Sequence, residues 1–390
     1  MACFHTSWIA LSKSAVQANL RFIRKRVGPL ARICSVVKGN AYGHGIEAFV
    51  PLAESCGISH FAVANADEAL RVFNSRTADS EIMIMSSVED EAIEWAIRNR
   101  VQFHVFNLPR LQSTIELATQ MGISARIHLE LETGLNRVGL DNEDLDTAAC
   151  LIQHNRNVLA LEGVCTHFAG AESVSNYVRI QQQIQSFREQ CAMLESQGIV
   201  PRKRHTACSA AALTYPETVM DMVRIGIALY GFWPSKETQM HDLLSAGALS
   251  AKRPRDPLRR VLRWTSRVMN VKSVAAGQFV GYGTTHLTTR RETIAAIPVG
   301  YADGFARSLS NSGFVLIRGK RAPVVGHVNM SVLLVDVTNI GSVQPGEEVV
   351  LIGNQSKRSI TVASFSDMSR SMNYEVLVRL PPDIPRTIVE

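Results

Sequence analysis

Apolar runs of strand length recur along the first 230 residues: ARICSVVK (31–38), HFAVAN (60–65), EIMIMS (81–86), VQFHVFN (101–107), ARIHLELE (125–132), LALEGVCTH (159–167), RHTAC (204–208) and MVRIGIAL (222–229). Between them the apolar positions shift to helical spacing, as in ADEALRVFNSR, EDEAIEWAIRN, LQSTIELATQMG and VRIQQQIQSFREQCAMLESQG. Strands that alternate with helices cross over right-handedly to parallel neighbours, and eight such units over about 200 residues suit a closed barrel. A doubly wound open sheet is the competitor, but no GxGxxG follows the first strand. The expected fold class is α/β, with an N-terminal (β/α)8 TIM barrel.

The pattern changes after about residue 235. Residues 236–260 are polar, charged and Pro-containing and read as a linker or inserted loop. From 261 on, VLRWTSRVMNVKSV, ETIAAIPVG, GFVLIRG, APVVGHV, SVLLVDVT and EEVVLIG are split by Gly turns with little helical pattern, which predicts a β-rich domain of antiparallel strands. The expected organisation is a barrel over 1–235, with residues 1–10 open to pairing with the β domain, a linker over 236–260 and a β domain over 261–390.

Composition adds exclusions. The 390 residues are 46% hydrophobic and 19% charged, without an apolar run of 18 and without the basic start, long apolar stretch and cleavage site of a secretory leader, so a cytoplasmic protein off the membrane is expected. Seven cysteines lie scattered without CxxC pairs, which predicts reduced thiols and no metal site. The net charge of +6 is modest, and its densest stretch, AKRPRDPLRR (251–260), has two prolines and no aromatics, so no nucleic-acid partner is expected.

Barrel chemistry sits at the C-terminal ends of the strands, often with a phosphate held after strands seven and eight. Lys38 ends the first strand run, before a sharp Gly-rich break (GNAYG, 39–43); Arg137 follows the fifth, His167 ends the sixth, Ser209 follows the seventh, and Arg224, Gly226 and Ile227 belong to the eighth. Each has a bland reading: Lys38 a strand-capping surface lysine, Arg137 a loop charge, His167 a satisfied core histidine, Ser209 an N-cap. Arg224 is the exception, because a guanidinium inside an apolar run needs a buried acceptor. Their shared rim favours a site. A lysine nucleophile beside a phosphate cradle of Ser209 and the Gly226 and Ile227 amides points to a Schiff-base enzyme using pyridoxal 5′-phosphate. The residues alone reach this cofactor class and not the reaction.

The stretches VVKGNAYGHG, ETGLNRVG, THFAGAE, HTACSAA, VRIGIALYG, VGYGTTH, IPVGYADGFARSLSN, VVGHVNM and YEVLVRLPPDIPR, in that order along nearly the whole chain, resemble alanine racemases. The resemblance implies a homodimer in which each β domain completes the partner's active site, acting on a small amino acid. Lys38 is similar to the Schiff-base lysine and first base, and Tyr282 to a second base from the other subunit. Two bases suit racemisation, which removes the α-proton from one face and returns one to the other. Tyr42, Ser209, Gly226, Ile227 and Tyr374 match phosphate contacts. Arg224 matches the arginine facing the pyridine nitrogen, His167 a residue packing near it, Arg137 the partner of cofactor phenolate and substrate carboxylate, and Met330 a substrate contact across the dimer. Glu172, Tyr301, Arg307 and His327 match an access channel.

Departures from the family pattern concern the surroundings more than the two bases. Glu130 stands where family members commonly carry a carbamylated lysine; it either supplies the same negative charge or points to solvent. Glu132 and Glu172 replace aspartates, Cys208 an asparagine, Ser331 an aspartate and His327 an arginine. The expected function is alanine racemisation supplying D-alanine for peptidoglycan. Ser331 and Cys208 motivate a serine or broad-specificity racemase as the alternative. A lyase or decarboxylase is disfavoured by the VGYG tyrosine, and a non-catalytic cofactor-binding protein by the second domain that bears it.

Overall fold

A computed structural model describes residues 5–86, 88–245, 256–362, 365 and 373–390. The chain divides into two compact units. One comprises Ser14–Lys38 and Val50–Arg259; the other joins Met1–Lys13, Gly39–Phe49 and Arg260–Glu390.

The first unit is the barrel. After β1 (Ser7–Ser12, in the other unit), its strands are β2 (Arg32–Val36), β3 (His60–Val63), β4 (Glu81–Ile84), β5 (Gln102–Val105), β6 (Ala125–Glu130), β7 (Leu159–Cys165), β8 (Arg204–His205) and β9 (Met222–Ile225). They pair in the order β8-β7-β6-β5-β4-β3-β2-β9, parallel throughout. The β8–β9 seam is stitched by Asp221 N–H to Arg204 O (3.1 Å), Arg224 N–H to Ala207 O (2.9 Å) and a bridge between Cys208 and Arg224. All eight apolar runs therefore become strands, buried on both faces as parallel barrel strands must be.

The stretch expected to be a linker begins as a helix, Lys236–Ser245. Its inward face is polar: Thr238 and Asp242, four residues apart, are buried, and Asp242 pairs with Arg26. A helix docked through a threonine and an ion pair shows no apolar stripe, which is why its sequence reads as loop. Residues 246–255 lie outside the described residues.

In the second unit, β1 lies between β10 (Leu262–Arg267), antiparallel, and β18 (Arg386–Val389), parallel. The larger sheet runs β14-β13-β16-β10-β1-β18, with β13 (Phe314–Ile317), β14 (Lys320–Pro323) and β16 (Glu348–Gln355), and β17 (Arg358–Ile360) paired to β16. A three-stranded sheet joins β11 (Asn270–Val274), β12 (Glu292–Ile297) and β15 (Leu333–Asp336). Trp264, Phe305 and Phe365 pack together in the unit's interior, ring centroids 6.5 and 5.2 Å apart.

Candidate active site

Lys38 follows β2, whose continuation is fixed by Val37 N–H to Ala62 O at 2.8 Å. Its residue surface is open, yet protein crowds its amine, and that desolvation together with the Arg137 and Arg224 charges lowers the lysine pKa, with Glu68 and Cys208 opposing. Its amine has no hydrogen bond or ion pair among the described residues.

The chain after Lys38 is a left-handed turn, with φ of 62°, 55°, 54° and 51° at Gly39, Asn40, Ala41 and Tyr42. Each L-residue in that region costs about 1–2 kcal/mol, so the turn needs supports. Gly43 N–H donates to Gly39 O and Gly45 N–H to Asn40 O, both at 2.9 Å. His44 Nδ1–H reaches the Ala41 and Tyr42 carbonyls at 3.1 and 2.9 Å, and Arg386 Nη2 donates to Gly43 O at 3.0 Å. Burial pushes the His44 pKa down to about 4, so the ring is a neutral donor here. The turn sets the Tyr42 ring 5.9 Å from Tyr374.

At the barrel rim Arg224 has the buried acceptors its position demands. Nη1 donates to His205 Nδ1 (2.5 Å) and His205 O (2.7 Å), and Nη2 to Thr166 O (2.8 Å) and Thr206 O (3.2 Å). Four of its five N–H groups are thus committed. Only Nε–H lacks an acceptor among the described residues. Ser209, expected as an N-cap on the bland reading, is instead the first helical residue, and its Oγ accepts from Gly226 N–H at 3.0 Å. The Ile227 N–H, on a residue only 2% exposed, has no protein acceptor among the described residues.

Glu132 folds the loop after β6 by accepting from Gly134 N–H (2.5 Å) and Asn136 N–H (3.0 Å). This presents Arg137 outward, with no hydrogen bond or ion pair among the described residues. Glu130 is buried and accepts from His104 Nδ1–H at 2.9 Å, which rules out a solvent-facing carboxylate. Burial works against its ionised form, but His104, Arg224 and Arg137 hold its pKa below the usual carboxylate value. His167 is pushed down to about 3, by burial first and then by Arg224 and Arg137, and is neutral.

The remaining expected residues gather on loops of the β-rich unit. Tyr282 is 74% exposed and Met330 60%. A Cβ at Gly283 would lie 2.4 Å from the His327 ring, so that ring packs on the turn bearing Tyr282. Tyr301 N–H and Ala302 N–H bond to the Asn329 and Met330 carbonyls at 3.0 and 2.9 Å, and Arg307 opens the short turn Arg307–Leu309. Glu172, in the barrel unit, is exposed, and its carbonyl accepts from Ser235 Oγ at 2.5 Å.

Sequence reasoning missed the polar barrel interior: Gln102, His104, His128 and His205 beneath Arg224. The signal was the alternation Gln102/His104 and Glu130/His128 within β5 and β6, which puts both members of each pair on one face. The ligand-capable atoms of His104, Cys165 and His205 lie within 4.8 Å of one another, but His205 Nδ1 is occupied by Arg224 and Nε2 by His128, at 2.8 Å.

A barrel rim with a desolvated lysine amine, an arginine uncommitted among the described residues and buried N–H donors offers positive charge and hydrogen-bond donors to an anion. Residues 11–234 match the family described as alanine racemase, N-terminal domain, and 261–388 alanine racemase, C-terminal domain. An alanine racemase of Leptospira interrogans is 33% identical over 99% of this chain and 96% of its own. The crystal structure of Bacillus anthracis alanine racemase with bound L-Ala-P is 30% identical with a TM-score of 0.88, covering 100% of this chain and 96% of its own. That of Bartonella henselae with covalently bound pyridoxal phosphate is 26% identical with a TM-score of 0.82, covering 99% and 100%. The chain belongs to the alanine racemase family, whose members are pyridoxal-phosphate-dependent isomerases.

Proposed function

We propose that this protein interconverts L- and D-alanine as a homodimer, with Lys38 and the second copy's Tyr282 as the two bases. The carrying observation is the Lys38 amine: desolvated, unpartnered among the described residues, its pKa lowered beside two guanidinium groups. The donor set fits pyridoxal phosphate. Arg224 Nε–H matches a ring nitrogen that accepts, and the Ile227 N–H and the Ser209 hydroxyl, whose Oγ holds the Gly226 N–H, match phosphate oxygens; the family resemblance adds Tyr42 and Tyr374 as phosphate contacts. His167, neutral, packs beside Arg224.

Bound pyridoxal phosphate withdraws electron density from the α-carbon of an attached amino acid and so acidifies its C–H. Lys38 Nζ, neutral in larger fraction because its pKa is lowered, takes or returns the α-proton on one face. Tyr282 Oη does the same on the other. Arg137 would pair with the phenolate and the substrate carboxylate, and the second copy's Met330 would meet that carboxylate. Glu172, Tyr301, Arg307 and His327 line access. Glu130, ionised beside His104, supplies through space the negative charge toward Arg137 that a carbamylated lysine gives in other members, without bonding it. The exposure of Tyr282 and Met330, on two separate loops of the β-rich unit, supports their use by a second copy.

The domains act as a cofactor barrel and a β domain that completes the partner's site. Six described cysteines form no disulfide, which accords with the cytoplasm, where D-alanine for peptidoglycan is made. Among the described residues no helix is long and apolar enough to cross a membrane.

Two experiments test this reading. With pyridoxal phosphate in D2O, α-deuterium should enter alanine well ahead of serine, lysine or arginine; serine first would mean that Ser331 and Cys208 have retuned the pocket. Lys38→Ala and Tyr282→Phe homodimers should each be inactive, whereas an equal mixture after subunit exchange should recover about a quarter of wild-type activity, since half the dimers then hold one intact site. No recovery would refute the shared site.

A further inference from the structure

Beneath Arg224 a chain of side chains crosses the barrel interior. His205 Nε2 lies 2.8 Å from His128 Nδ1, His128 Nε2 lies 2.7 Å from Gln102 Oε1, and Gln102 Nε2 donates to Glu81 Oε2 at 2.9 Å. His128, His205 and Gln102 are fully buried. We propose that Glu81, Gln102, His128 and His205 form one directional hydrogen-bond relay that positions Arg224.

The direction follows from chemistry at the two ends. An arginine only donates, so His205 Nδ1 must accept. The neutral ring then carries its proton on Nε2 and donates to His128 Nδ1, which places the His128 proton on Nε2. That proton goes to Gln102 Oε1, which orients the amide so that its N–H meets the Glu81 carboxylate, an acceptor only. Reversing any one member sets two N–H groups or two lone pairs face to face. Burial and the neighbouring positive charges hold both histidines well below their ordinary pKa, so neither ring offers a second proton.

The far end is anchored by charge. Glu81 is faced by Arg32 at 3.3 Å, His60 at 3.5 Å, Arg126 at 3.2 Å and Lys203 at 4.0 Å. Glu162 shares Arg126 and Lys203 with it and also pairs with Arg202. Along the relay's flank the His104 ring lies 5.8 Å from His128 and 5.9 Å from His205, with Cys165 Sγ 3.8 Å from His104. Among the described residues no carboxylate bonds Arg224 directly. The relay holds Nη1 on His205 while Nη2 stays on the two carbonyls, which leaves Nε–H as the donor to spare.

The effect on turnover rests on the reading that Arg224 meets the cofactor nitrogen; the relay itself does not. Two-bond 1H–15N correlations of the full-length cofactor-free protein, from pH 6 to 9, should show His128 and His205 as neutral Nε2–H tautomers that do not titrate. An Nδ1–H tautomer or an imidazolium at either position overturns the relay, as does one equivalent of Zn2+ that binds and shifts His205. Gln102→Leu removes the middle of the relay without touching Arg224. It should shift the His205 signal and lower kcat about tenfold, with KM for alanine little changed. An unmoved His205 signal overturns the relay. A shifted signal with unchanged kcat overturns the positioning role alone, since the three backbone carbonyls would still hold Arg224, and leaves the tautomer chain standing; loss of the proposed function itself would show instead as no racemisation by the wild-type protein.

Discussion

Gly43 ends the left-handed turn after Lys38, and its replacement by alanine should be among the costly single-methyl additions in the protein. Its φ of +76° places an L side chain in the left-handed region, at about 1–2 kcal/mol. The added Cβ would stand 1.8 Å from the Leu377 carbonyl oxygen and 2.6 Å from its carbon. A backbone carbonyl cannot rotate aside as a side-chain tip can, so the segment about Leu377 must shift, an overpacking cost of about 1–3 kcal/mol. The sum, about 2–5 kcal/mol, is a large part of the roughly 5–15 kcal/mol that typically separates folded from unfolded states. Gly277 supplies the control: its φ is +75° and nothing lies within 4 Å of an added Cβ, so Gly277→Ala carries the backbone cost alone. Both residues belong to the β-rich unit, where Trp264 is buried. Guanidinium unfolding of the cofactor-free variants, followed by tryptophan fluorescence, should place Gly43→Ala below Gly277→Ala by about 1–3 kcal/mol. Equal losses would refute the close approach of Leu377 to the turn.

Two further perturbations read the barrel interior. Glu130→Gln keeps the acceptor for His104 but removes its charge, and should cost about 1 kcal/mol at neutral pH, the difference between charge-assisted and neutral hydrogen bonds. Because the folded pKa of Glu130 is depressed, that stability is present above the unfolded value of 4.5 and lost as pH falls through the folded value. The gap between wild type and variant in urea melts should therefore narrow on acidification, and a gap independent of pH would refute the ionised carboxylate. Burial pushes the Cys34 thiol up to about 12 and raises that of Cys165, while Cys150 is exposed. A thiol reagent at about pH 8, mapped by mass spectrometry, should modify Cys150 in the native protein and reach Cys34 and Cys165 only after unfolding. Native labelling of Cys34 would contradict the packing of β2 against β9.

Legibility in the sequence followed the kind of force involved. The eight barrel strands were readable because a parallel strand buried on both faces is an unbroken apolar run, and Arg224 stood out against such a run. The turn after Lys38 was readable as a break from Gly39, Gly43 and Gly45, but not as left-handed. Asn40, Ala41 and Tyr42 adopt positive φ because His44 and the distant Arg386 bond the turn's carbonyls. Lys236–Ser245 escaped notice because its buried side chains are Thr238 and Asp242. The relay escaped for the opposite reason. Gln102, His104 and His128 sit inside runs whose apolar character already predicted strands, and a polar residue there has meaning only once the alternation in β5 and β6 is projected into one barrel.

That interior also bears on the charge of the rim. Burying histidines, glutamines and carboxylates is expensive unless each finds a partner; Gln102, His104, His128, His205 and Glu130 each have one, whereas neither ring nitrogen of His60 is hydrogen-bonded among the described residues. Among the described residues, groups without a partner gather where the strands end: the Lys38 amine, Arg137, one N–H of Arg224 and the Ile227 amide. Three of these residues are cationic, and the nearby buried carboxylate, Glu130, is bonded to His104. Desolvation first, and then the repulsion of Arg137 and Arg224, lower the Lys38 pKa. A rim with an excess of positive charge and spare donors, set on a core with little left unpaired, has the electrostatics that the proposed binding of a phosphate and a substrate carboxylate requires. Burial together with the same unbalanced charge shifts the Lys38 amine toward its neutral form, the form that the proposed role as a base requires.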